Sequence, residues 1–196
     1  MRLSLHITVR NHGQPEDRRY QAIRSNNQPH FWLKSLYIVF VLQAVLAWFI
    51  AMPAVAAAAS PTPLGWLDAV AVAVWLTGMV FEVGGDWQLM RFQRTRDSRD
   101  RVLDTGLWRY TRHPNYFGEA LLWWGVYLMA VAAGAWWTLV SPVLMTFLLL
   151  RVSGVVLLEK DIAERRPAYR DYVRRTSAFI PLPPRGRQAA GADGRN

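Results

Sequence analysis

Four long apolar runs, divided by segments that hold nearly all of the arginine, restrict this chain to very few architectures. The first, over residues 31–52, reads FWLKSLYIVFVLQAVLAWFIAM and carries one charge, Lys34, close enough to an end for its ammonium to reach headgroups. A bilayer core about 30 Å thick needs roughly 20 helical residues, so this run is long enough to span. The second run covers residues 66–85, with Asp68 and Glu82 near its ends. The third and fourth, residues 116–133 and 137–158, form a hairpin that turns near Gly134 and contains Glu119 and Arg151. Such runs predict an all-α, polytopic membrane helix bundle with four transmembrane helices.

Arginine sorts cleanly against this pattern. Residues 1–30, 86–115 and 159–196 hold 5, 7 and 8 arginines, and the two short connections between the other span ends hold none. By the positive-inside rule the three rich segments and both termini are cytoplasmic. The net charge of +9 therefore points to an anionic leaflet rather than to nucleic acid. The chain has no Cys, which excludes disulfides and thiolate metal sites, and its 4 His form no zinc-binding spacing. The polar residues before the first run, and an apolar core longer than the roughly 7–15 residues of a signal sequence, favour a retained span over a cleaved signal. The expected organisation is a cytoplasmic segment over residues 1–30, a membrane domain over 31–180 and a disordered tail over 181–196, rich in Pro, Gly and charge.

Ionised side chains inside spans are expensive and face a partner or a wet cavity. Glu82 and Asp86 are four residues apart, on one helix face where the second span meets the cytoplasm. Asn115 and Glu119 have the same spacing at the start of the third span, and Arg151 lies near the end of the fourth. Asp68 reads as interfacial only. Pairing such as Glu119 with Arg151 would serve helix register alone. Convergence of these groups at one depth, beside an arginine-rich loop, favours a pocket for an anionic ligand. In that loop Arg91, Arg94, Arg96, Arg99, Arg101, Arg109 and Arg112 alternate with Trp87, Phe92, Trp108 and Tyr110. Guanidinium forks suit phosphate oxygens, and aromatic faces suit nucleotide rings. Neither a GxGxxG nor a GxxxxGK[ST] phosphate loop is present.

At EDRRYQ, FEVGGDWQL, GLWRYTRHPNYFGE, LLLRVSGVVLLEK and YRDYVRRTSAFIPLPPR the chain resembles the C-terminal region of bacterial steroid 5α-reductase-like membrane proteins. The resemblance reaches almost to Arg185. It implies a bacterial inner-membrane protein of a seven-helix fold that uses NADPH to reduce a C=C bond conjugated to a ketone in a lipophilic substrate, steroid-like or polyprenyl-like, taken from the bilayer. It places Asn115 and Glu119 at the nicotinamide end of the cofactor, Asp86 at the adenosine end, Glu82 where relatives often carry Asn, and Arg151 on the dinucleotide. Arg94, Tyr110, Arg112, His113 and Tyr172 complete the cofactor set, and Asn11 matches loosely. Relatives carry two or three further N-terminal helices, with the Glu and Tyr that polarise the substrate, and both fall before Met1. Either a shortened relative or a different chemistry is therefore expected, with Tyr20 and His113 as groups able to donate a proton.

The RHPxYxG core is similar also to that of isoprenylcysteine carboxyl methyltransferases. On that resemblance Arg112, His113, Pro114 and Tyr116 bind S-adenosylmethionine and Glu159 acts near it, followed by Tyr169 and Tyr172. Asn115 with Glu119, and the FEVGGDWQL segment, favour the reductase. A membrane subunit without catalysis is the third reading.

Overall fold

The computed structural model describes residues 18–95, 101–152, 155 and 167–185. The chain divides into two units, Met1–Ala47 and Trp48–Asn196. In the first, α1 (Arg18–Asn26) is closed by the Asn27 side chain, which donates to the Ile23 carbonyl at 2.8 Å. The Arg24 guanidinium lies 5.6 Å from the centre of the Phe31 ring. Helix α2 (Phe31–Ala59) starts in this unit and includes a wide π turn over Leu36–Val41. Its side chains Trp32, Tyr37 and Phe40 are exposed, an arrangement that suits lipid and not water.

In the second unit α3 (Trp66–Thr95) is capped where the Gly65 N–H donates to the Asp68 carboxylate at 2.7 Å. The carboxylate sits at the positive end of the helix, which gives Asp68 a capping role. Helix α4 (Pro114–Ala132) opens with Pro at its first position, where a missing N–H costs nothing. Gly134, at φ +83°, reverses the chain into α5 (Trp136–Val152), which begins as a 3-10 turn and closes in a π turn over Leu148–Val152. Helix α6 (Pro167–Arg175) follows later. Among the described residues the elements are all helical, apart from one bridge between Thr111 and Ser177.

Two helices, α2 and α3, are long and apolar enough to cross a membrane, and α5 is a shorter apolar helix. The boundaries move from those expected. Residues 53–59, read as loop, continue α2, because Ala is the strongest helix former and outweighs one internal Pro. Helix α3 extends ten residues past Gly85 to Thr95, since its glycines serve packing and do not end the helix.

The principal helix pair is α3 with α4, and small residues bring the two together. A Cβ on Gly78 would lie 2.7 Å from the Gly118 carbonyl oxygen, and one on Gly125 would lie 2.9 Å from the Trp75 nitrogen. Gly85 meets Pro114 and the Asn115 nitrogen at 3.1 Å. The order 85–78–75 against 114–118–125 makes the pair antiparallel. Ala71, Gly78 and Gly85 recur every seven residues, as do Gly118 and Gly125, which keeps one seam in register along both helices. The Trp124 indole donates to Thr146 at 3.2 Å and joins α4 to α5, while Ser141 donates to the Ile50 carbonyl at 2.7 Å and joins α5 to α2.

A clasp closes the end of the α3–α4 pair. Leu107 N–H donates to Gln88 and the Trp108 indole to the Gly85 carbonyl, at 3.0 and 3.1 Å, which fixes the connecting loop to α3. The segment after α6 then lies along that loop, with Arg112 N–H donating to Ser177 and Leu182 N–H to Tyr110. A disordered tail was expected from Pro181. Instead Leu182 and Arg185 donate backbone N–H groups to Tyr110 and Arg175, so residues 181–185 are ordered by main-chain pairing that composition does not reveal. Residues 186–196 lie outside the described residues.

Candidate functional site

The seam sets the site. Glu82 and Asp86 stand one turn apart on α3, and Asn115 and Glu119 one turn apart on α4. Because Gly85 abuts Pro114 and Gly118 abuts Glu82, the two pairs come together at the same end of the crossing. The Asn115 amide donates to the Asp86 carboxylate at 3.1 Å, and Glu119 lies within electrostatic range of both Glu82 and Asp86. Three carboxylates and an amide form a cluster rich in acceptors, suited to ligand hydroxyl and amide N–H groups. One turn beyond, the Arg91 guanidinium lies 5.5 Å from the centre of the Trp87 ring, on a part of α3 that also carries Arg94. Acceptors that suit sugar hydroxyls thus stand on the same helix as guanidinium groups that suit phosphate oxygens.

A second group of residues is structural. Arg112 is buried, and its Nη1 donates to the carbonyls of Thr176 and Val173 at 2.6 and 2.8 Å. Tyr172 is buried, and its hydroxyl donates to the Trp108 carbonyl at 2.5 Å. Burial, then the neighbouring Tyr169, push the ionisation of this phenol well above the usual range, so it stays a donor. Thr111 donates to the Phe179 carbonyl at 2.8 Å, and Arg175 pairs with Asp104 at 2.5 Å. Together these bonds hold the loop that delivers Asn115 to the crossing.

Residues 1–176 match the family model described as a protein of unknown function, DUF1295. The chain belongs to the DUF1295 family. It is similar to an uncharacterized protein, C594.04c, of Schizosaccharomyces pombe, 26% identical over an alignment of 193 positions that takes in 83% of this chain and 54% of the yeast protein. The chain thus spans about half the length of the curated relative it matches. No solved structure matches it.

In this DUF1295 chain the residues expected at a cofactor separate into groups. Asn115 and Asp86, expected at opposite ends of the cofactor, are instead hydrogen-bonded to each other, and Glu82 and Glu119 stand one turn from them. Arg112 and Tyr172 belong to the clasp, where burial and carbonyl partners hold the side chains inward, and Tyr110 is exposed on its surface. Pro114 is buried against Gly85. His113 is buried too, its ring stacked on Tyr116 with centroids 5.5 Å apart and planes at 7°. Tyr169 packs edge-on against Tyr172 at 5.5 Å. Arg94 and Arg151 are exposed. Arg151 lies in the π turn over Leu148–Val152. Asn11, Glu159 and the Tyr20 side chain lie outside the described residues. Sequence reasoning missed the glycine seam, whose signal was its seven-residue repeat; a search for GxxxG spacing passes over it.

Proposed function

We propose that this chain is a membrane-embedded, NADPH-dependent reductase of a C=C bond conjugated to a ketone in a lipophilic substrate. The observation that carries the reading is the Asn115–Asp86 pair, held with Glu82 and Glu119 at the end of the glycine seam. When bound, the nicotinamide supplies a hydride to the substrate carbon. The chain's own part is to bind and orient. Asp86 and Glu82 accept from ribose hydroxyls, Asn115 and Glu119 engage the carboxamide, and Arg91 and Arg94 meet phosphate oxygens. The chemical fit of that donor set, together with the resemblance at RHPNYFGE, supports the assignment. Arg112 and Tyr172 act by positioning the loop.

The same proposal has four spans, formed by α2, α3, α4 and the helix that begins at Trp136, with the cluster at the cytoplasmic rim. Exposed Trp66, Trp136 and Trp137 support it, since they start α3 and α5 at the end opposite the arginines, where an aromatic belt meets the outer interface. Helix α3 is about 45 Å long at 1.5 Å per residue, so its last turns project past the bilayer with Arg91 and Arg94.

The test is a titration of detergent-purified protein with NADPH, NADH and S-adenosylmethionine, followed by Trp fluorescence. NADPH-selective quenching is expected. Selectivity for S-adenosylmethionine would assign the methyltransferase instead, and no response to any of the three would leave a membrane subunit without a cofactor.

A further inference from the structure

Residues 110–112 and 177–182 lie against each other around one β-bridge, Thr111 to Ser177, and this short ribbon has a buried side and an exposed one. Thr111 is fully buried, and Phe179 stands edge-on to Phe117 of α4 with ring centres 5.8 Å apart. On the other side Tyr110, Ile180 and Leu182 are 44%, 59% and 53% exposed. The Leu182 N–H donates to the Tyr110 carbonyl at 3.0 Å, which sets two of these outward residues side by side. Exposed Arg109 and Arg185 flank them.

Apolar side chains projecting from a backbone flanked by arginine are poorly matched to water. They match the boundary where anionic headgroups meet acyl chains. Phe117 lies on the first turns of α4, so the ribbon sits at the level where α4 leaves the bilayer in the four-span arrangement. We propose that this ribbon is an interfacial anchor: Tyr110, Ile180 and Leu182 enter the inner leaflet, and Arg109 and Arg185 rest on its anionic headgroups. The anchor rests on the four-span arrangement and is independent of the cofactor. It keeps the clasp, and with it the loop that delivers Asn115, seated against the membrane.

The chain has no Cys, so single nitroxide labels report one position each. Leu182→Cys and Ile180→Cys are labelled in the full chain and placed in nanodiscs of phosphatidylcholine with or without phosphatidylglycerol. Phe147→Cys on α5 is the lipid reference and Gln93→Cys the aqueous one. In anionic discs both ribbon labels are expected to collide more with oxygen than with a water-soluble nickel chelate, shifted towards the Phe147→Cys profile. Omitting phosphatidylglycerol, or substituting Arg109→Gln with Arg185→Gln, shifts them back towards water. A ribbon profile equal to that of Gln93→Cys in both lipids overturns the anchor, as does shielding from both reagents, which would mean that protein covers the ribbon. If Phe147→Cys also reads as aqueous, the four-span arrangement falls and the anchor falls with it.

Discussion

A guanidinium nitrogen that donates to two main-chain carbonyls, as Arg112 does to Thr176 and Val173, joins two distant stretches of chain. Removing it leaves both carbonyls without this donor, that of Thr176 in a buried position. Arg112→Ala is expected to lower stability by about 1.5–3 kcal/mol, read as an earlier melting midpoint of the ligand-free protein. Arg112→Lys recovers only part of this, because an ammonium lacks the planar fork. An unchanged midpoint for Arg112→Ala would return this residue to the cofactor. Tyr172 adds a pH dependence. Its folded ionisation is raised by burial, so its contribution is complete below the ordinary tyrosine value of about 10 and is lost as pH rises above it, where the unfolded chain gives up a proton that the folded chain keeps. Melting midpoints of the native chain and Tyr172→Phe should therefore converge in alkali. Asn115→Ala is expected to weaken NADPH binding by about 1–3 kcal/mol in the fluorescence titration. The spacing of Asn115 with Glu119, and of Glu82 with Asp86, was legible because a helix fixes which residues share a face. The inward turn of Arg112 was not: it depends on carbonyls more than 60 positions away.

At the scale of elements, the α3–α4 seam decides whether the cluster exists. A Cβ on Gly118 would collide with the Glu82 nitrogen and the Gly78 carbonyl, both of them backbone atoms that cannot swing aside. Gly118→Ala must therefore push the helices apart. The expected cost is about 1–3 kcal/mol of stability, as for other overpacked sites, together with weaker NADPH binding as Asn115 leaves Asp86. Gly84→Ala is the control, since its Cβ meets only the mobile end of Leu107 and should change both readings far less. Equal behaviour of the two variants would detach the seam from the site. Hydropathy made the apolar runs of α2 and α3 legible, but their ends were not. Alanine carried α2 on to Ala59, and glycines that suggest a helix end proved to be contact points within α3.

In the proposed four-span arrangement, charge and apolar surface of the second unit favour one orientation. The arginine-bearing loop and the clasp lie at one end of the α3–α4 pair, and exposed Trp66, Trp136 and Trp137 at the other. Anionic lipid at the inner leaflet attracts the first end, and the outer interface suits the second. The proposed dinucleotide would reach the Asn115–Asp86 cluster only if that end faces inward. The most direct measurement uses single cysteines in this Cys-free chain and a maleimide that cannot cross membranes. Thr62→Cys should react in intact spheroplasts, and Thr105→Cys only after permeabilisation. Reaction of Thr105→Cys from the outside would place the cluster on the wrong face of the membrane and contradict the account.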